Sequence, residues 1–249
     1  MKSSSQQNRK SFATGWLPAL LITTSLLLAG SSTLRADPAE HEVDPARILS
    51  PNHEAYGKTY AEWSAVWWQW ALAIPADHNP LLDETGADAG QGQSGHVWFL
   101  AGVFNATGTA ERTNTVPAGK ALFFPIVNNI WISTVPTDPQ TADAIRPLIA
   151  PVVNDATDLA CEIDGVSVKH PENYRTESPL FNVTLPANNI FGIDAGTYGP
   201  SMDEGFYLMV APLSVGRHTI HFHGALPDLP FTLDITYHLT VKATRHSDD

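Results

Sequence analysis

Residues 56–75 read YGKTYAEWSAVWWQWALAIP and hold four of the seven tryptophans, Trp63, Trp67, Trp68 and Trp70. Tyr56, Tyr60, Trp63, Trp67, Trp70 and Ile74 recur at alternating intervals of four and three residues, which sets them in one stripe of an α-helix. Ala61, Ala65, Ala71 and Ala73 favour that helix and Pro75 closes it. Each aromatic side chain buries roughly 150–250 Å², so the four tryptophans represent about 600–1,000 Å². The largest apolar patch on a typical soluble monomer is only about 300–600 Å². The helix therefore has to dock, most simply on a sheet made by the rest of the chain.

Upstream, residues 37–55 are polar and punctuated by proline, an extended lead-in. Downstream, residues 76–95 form a loop dense in Gly and Asp with no apolar period, which marks it as functional or mobile. His96–Gly102 and Ala121–Val127 read as buried strands, with Pro125 pointing to an edge or a bulge. Thr137-Asp138-Pro139 reads as a helix start capped by Asp138, and Pro147 and Pro151 predict that this second helix is short or broken. From Leu159 the pattern turns to strands. Leu159–Ile163 and Val166–Lys169 flank Asp164-Gly165, a two-residue hairpin signal of type I′. Phe181–Leu185, Phe206–Val210, Arg217–His223 and Leu233–Lys242 follow, the last two with the clearest alternation. Together these predict a mostly-β fold, an antiparallel β-sandwich of Ig-like or jelly-roll-like kind, with the tryptophan helix and a short second helix beside it. Residues 56–243 are taken as one domain and 244–249 as a tail. A split near Asp155 would leave the front half too few strands to close a core.

Residues 1–36 read as a secretory signal. Lys2, Arg9 and Lys10 form a basic n-region, Trp16–Ala29 is an apolar run too short for a comfortable membrane span, and small residues follow. Cleavage after Ala36 or near Ser31–Ser32 fits that pattern, and Arg9-Lys10-Ser11-Phe12 resembles a degraded twin-arginine signal. The expected location is periplasmic or extracellular, with no transmembrane anchor after cleavage. Removing this segment leaves 10 basic and 26 acidic residues, a formal charge of −16. Such a surface repels nucleic acid and anionic lipid, so neither is an expected partner. Cys161 is the single cysteine, so no internal disulfide forms and a sizeable core has to hold the chain together. Its alternation in LACEIDGV places it as a buried, inert thiol.

The blocks YGKTYAEWSAVWWQWALAIP, SGHVWFLAG, VPAGKALFFPI, YRTESPLF and APLSVGRHTIHFHG…DITYHLTV span residues 56–242. On them the chain resembles an uncharacterised family of secreted bacterial proteins. The resemblance implies export and a shared fold, and it carries no activity or site residue.

The sharpest chemical constellation is histidine on the last two strands. Alternation sets His221 and His223 on one face, opposite Ile220 and Phe222, and sets His238 opposite Ile235, Tyr237 and Leu239. If the strands pair, His221, His223 and His238 share a face, and three imidazoles suffice for zinc or copper with a fourth position open. The alternative is a half-exposed sheet face whose polar side is rich in histidine. Asp77, His78, Asp83, Glu84 and Asp88 crowd the glycine-rich loop and offer hard ligands for calcium without EF-hand spacing. Glu62, among tryptophans, is a candidate general acid or else a wet-face residue. No Gly-x-Ser-x-Gly, P-loop, dinucleotide, CxxC or HExxH motif occurs. Two readings follow. One is a secreted ligand-binding or structural module taking a glycan or small molecule on Trp68, which lies off the helix stripe, and Trp98. The other is a metal-dependent enzyme using His221, His223 and His238.

Overall fold

A computed structural model describes residues 47–105 and 107–243. The expected signal, residues 37–46 of the lead-in and the tail at 244–249 lie outside the described residues. The tryptophan helix, α1, runs Tyr60–Leu72. It begins at Tyr60 rather than Tyr56 because Thr59 and Glu62 close a capping box: the Thr59 hydroxyl accepts from the Glu62 N–H, and the Glu62 carboxylate accepts from the Thr59 N–H at 2.8 Å. Tyr56 stands outside the helix, exposed and with positive φ. Glu62 thus belongs to the helix cap. Its bonds from Thr59 hold the carboxyl below its ordinary value, the opposite of what a general acid needs.

The strands are β1 (Val97–Phe99), β2 (Thr109–Pro117), β3 (Ala121–Ile132), β4 (Thr157–Ile163), β5 (Val166–Ser167), β6 (Arg175–Glu177), β7 (Phe181–Leu185), β8 (Gly196–Val210), β9 (Gly216–Leu226) and β10 (Phe231–Lys242). The first sheet has the order β1-β3-β8-β6, with β7 also on β8; the second has the order β2-β10-β9-β4-β5. The fold is mostly β and sandwich-like, but both sheets are mixed rather than antiparallel. β1 runs parallel to β3, and β2 parallel to β10. The chain leaves the first sheet after β1, contributes β2 to the second and returns as β3 beside β1, so β3 repeats the direction of β1. Alternation of side chains reports which face is buried and is silent on strand direction, so the sequence did not expose these pairs.

The layers follow from β3, whose residues Ala121–Val127 are all buried. Leu122, Phe124 and Ile126 pack against Phe222, Ile235 and Tyr237 of the second sheet. Ala121 and Phe123 face the other way, with Tyr207 and Met209, onto Trp63 and Trp67. The first sheet therefore lies between α1 and the second sheet. Pro125 lies beyond the last residue of β3 that pairs with β1, on an edge with no described partner, and at a register shift against β8 between Pro125 and Val127. The bulge puts Ile126 and Val127 into the same inter-sheet core and reverses the alternation beyond it, so Asn128, Ile130 and Ile132 face the α1 side.

All four indoles of α1 donate. Trp63 bonds the Ala55 carbonyl at 2.7 Å, Trp67 that of Leu100 at 2.9 Å, Trp70 that of Gln91 at 2.8 Å, and Trp68 the Asp203 carboxylate at 2.6 Å. The helix thus ties the lead-in, the glycine-rich loop, the segment after β1 and β8 to one element. The second helix, α2, runs unbroken over Ala142–Asn154 and is capped by Thr141. Asp138 instead accepts from the N–H groups of Thr134 and Val135 in the preceding turn. Pro147 and Pro151 lie four apart on the exposed face, opposite the buried Ile145, Ile149 and Val153. The carbonyls these prolines leave unpaired therefore face water, and the helix continues. The Asp164-Gly165 turn has φ of 53° and 77°, as a type I′ turn requires.

Candidate functional site

β1 pairs with β3 only over Ala121–Phe123. Beyond Phe99 the chain turns away, its last tie to β3 being Leu100 N–H to the Phe123 carbonyl at 3.1 Å, while β3 continues to Ile132. Past Phe123 no described strand pairs with that edge of β3, and the layers part there. The gap is a pocket of about 150 Å³. Trp67 and Trp68 of α1 and Leu81 form one wall, and Gly102, Val103 and Phe104 another. Asn128–Ile130 of β3 form the floor, and Leu226, Leu229, Phe231 and Leu233 at the β9–β10 turn form the far side. Phe104 and Leu229 are 41% and 48% exposed and stand at the mouth. An apolar concavity with few polar groups is the usual form of a small-molecule site.

Behind this floor lies a buried polar network. Asp203 of β8 is fully buried. Its carboxylate accepts the Trp68 indole N–H at 2.6 Å and the Tyr207 hydroxyl at 2.9 Å, and the Tyr207 oxygen accepts from Asn128 Nδ2 at 2.7 Å. Ser178 Oγ accepts the Asp203 backbone N–H at 2.8 Å. Asp203, Gly205 and Tyr207 alternate onto one face of β8, and Gly205 lies opposite Asn128 in the ladder. A Cβ on Gly205 would come within 2.5 Å of Asn128 Cβ and 2.6 Å of the Val127 carbonyl oxygen. The missing side chain leaves Asn128 room to reach Tyr207. Burial pushes the Asp203 carboxyl up to about 7, offset by the bonds from Trp68 and Tyr207 and assisted by the adjacent Glu204 charge. Burial also raises the Tyr207 hydroxyl well above its ordinary value. A perturbed carboxyl one hydrogen bond, through Trp68, from an apolar pocket is a pattern that marks functional sites.

Of the aromatic residues singled out from the sequence, Trp68 is 2% exposed and forms a pocket wall. Trp98 does not reach the pocket; it is half-buried against the inter-sheet core, with a buried indole N–H that lacks a partner. The ladder of β9 and β10 sets His238 opposite Thr219, His221 opposite Thr236, and His223 opposite Asp234. The rings of His221 and His223 lie 5.6 Å apart, and His221 Nε2 is 2.8 Å from Asp234. His238 turns to Glu111 on β2, 2.9 Å away. Among the described residues no group of three or more His, Cys, Asp or Glu side chains is arranged to hold a metal ion. In the glycine-rich loop, the Asp83 carboxylate accepts from Thr85 and from the Asp88 N–H. These bonds outweigh its burial and keep it below the ordinary value. Asp83 thus organises the loop's own backbone. Cys161 is buried, and burial pushes its thiol up to about 12, which makes it inert.

Asn128, Asp203, Tyr207 and Arg112 carry no motif and were not singled out from the sequence. A carboxylate and a tyrosine four apart on an apolar strand, with glycine between, is the pattern that points to the first group. Arg112 is fully buried and donates to the carbonyls of Pro80, Asp83, Ala101 and Gly102 and to the Tyr237 hydroxyl. It pins the segments that carry Leu81 and Gly102 into the pocket wall.

No family model matches the chain. A stretch of 87 residues is 32% identical to the thiosulfate reductase molybdopterin-containing subunit PhsA of Salmonella typhimurium, covering 32% of this chain and 11% of that protein. The chain thus spans about a tenth of the length of that curated relative. Among solved structures, a chain from the complex of PbICP-C with falcipain-2 aligns at a TM-score of 0.25 and 12% identity, over 59% of this chain and 100% of that chain. That likeness carries no argument about fold or function.

Proposed function

We propose that the protein is an exported binding module whose ligand is a small apolar molecule, or the apolar end of a larger one, held between α1 and the β9–β10 turn. The observation that carries this reading is the pocket itself: about 150 Å³, walled by Trp67 and Trp68, with Phe104 and Leu229 at its mouth. An apolar cavity of about that size holds a benzene ring. Export is supported by the basic and apolar character of residues 1–36. The expected Ig-like or jelly-roll strand order plays no part in this reading, which needs only the gap between the layers. A glycan stacked on an open aromatic face is disfavoured, because Trp68 is enclosed and turns into the pocket. The test is calorimetric titration of the protein with toluene. The expected dissociation constant is on the order of 0.1–1 mM, or about −4 to −5.5 kcal/mol. A Leu226→Trp substitution, which fills the pocket, is expected to abolish the heat while leaving the circular dichroism unchanged. No heat from the unsubstituted protein, or heat that survives the filled pocket, would overturn the proposal.

A further inference from the structure

The floor of the pocket carries information about the ligand's polar end. The Tyr207 hydroxyl lies 2.9 and 3.0 Å from the two Asp203 oxygens. Asp203 at the same time accepts the Trp68 indole N–H. Tyr207 spends its one proton on that carboxylate, so towards Asn128 its oxygen acts only as an acceptor. This fixes the Asn128 amide: Nδ2 faces Tyr207 at 2.7 Å, and Oδ1, which has no partner among the described residues, is left as an acceptor on a residue that lines the pocket. The bulge at Pro125–Val127 and the absence of a side chain at Gly205 aim Asn128 this way. An amide held in one orientation by a buried carboxylate distinguishes a donor from an acceptor, which a freely turning amide does not.

We infer that the ligand carries a hydrogen-bond donor next to its apolar group, as in a phenol or a short-chain alcohol, and that Asn128 Oδ1 accepts that donor. The inference rests on the pocket being the binding site. A ligand that offers only an acceptor, such as an aryl ether, meets an oxygen of like polarity and leaves both unpaired. Asn128 is a selecting residue, and Tyr207 and Asp203 are positioning residues that act through it.

The experiment compares phenol, anisole and toluene by calorimetry at pH 8, on the full chain and on Asn128→Leu. The expected result is a phenol-to-anisole affinity ratio about five-fold or more higher in the unsubstituted protein than in Asn128→Leu, with toluene affinity nearly the same in both; five-fold corresponds to one net hydrogen bond. Tyr207→Phe, which frees the amide to turn, is expected to lower the same ratio while Asn128 stays in place, a loss that a purely structural role for Tyr207 would not produce. Toluene binding with a phenol-to-anisole ratio unchanged by both substitutions would overturn this inference and leave the pocket reading standing. No binding of any of the three compounds would overturn both.

Discussion

Replacing Asp203 by asparagine tests the physics of the buried network without touching its shape. The carboxyl is fully buried, and burial moves it from its ordinary 3.8 to about 7. A raised carboxylate value means that the folded chain holds a proton the unfolded chain has already released. Between about pH 4 and pH 7 the native state therefore binds more protons than the unfolded state, and this group's contribution to stability falls as pH rises. Above pH 7 the loss is complete, on the order of 4 kcal/mol. Asparagine is neutral at every pH. Its Oδ1 accepts the Trp68 indole N–H, and its Nδ2 donates to Tyr207, which turns its own proton to Asn128 as that amide flips to present Oδ1. Urea unfolding of both proteins from about pH 4 to pH 8 isolates the effect as a difference curve. The Asp203→Asn variant is expected to match the unsubstituted protein near pH 4 and to exceed it increasingly up to about pH 7, with a plateau beyond. A difference that does not vary with pH, or a variant that weakens relative to the unsubstituted protein as pH rises, would refute the reasoning.

Three further substitutions probe the elements that shape the pocket. Arg112→Lys keeps the charge but loses the planar fork, and at least two of the five acceptors now bonded by Arg112 lose their donor. At about 1–3 kcal/mol for each unsatisfied buried group, a drop of about 2 kcal/mol or more is expected in chemical unfolding. Gly205→Ala forces a Cβ to within 2.5 Å of Asn128 and is expected to cost about 1–3 kcal/mol and to remove the phenol preference. Thr59→Ala opens the capping box of α1 and is expected to lower stability by about 1 kcal/mol, with toluene affinity nearly unchanged.

The tryptophan stripe located the helix and its docked face because aromatic spacing at 3.6 residues leaves little ambiguity about which side is buried. The hairpin at Asp164-Gly165 and the strands of β9 and β10 were legible for the same reason, through turn chemistry and strict alternation. Strand direction was not legible, and neither was β2, whose inward positions include the polar Arg112. The pocket was only half visible. Trp68 stood out because it departs from the stripe. Asn128 did not, because the bulge at Pro125 reverses the alternation just before it, so simple counting along β3 places it on the wrong face. Asp203 and Tyr207 meet Trp68 only through pairing of segments 135 and 139 residues apart in sequence. The histidines of β9 and β10 share a face as alternation implied, but it is the register, together with Glu111 on β2, that decides which neighbours they meet.

The central claim is that the gap beside Trp67 and Trp68 binds a small apolar ligand. Two-dimensional ¹⁵N–¹H spectra of the full chain resolve each tryptophan through its indole N–H, and these signals can be followed during toluene titration. The account predicts saturable shifts of the Trp67 and Trp68 indoles while those of Trp98 and Trp131, which do not line the pocket, stay in place. Shifts confined to Trp98 and Trp131, or no saturable shift at Trp67 and Trp68, would contradict it.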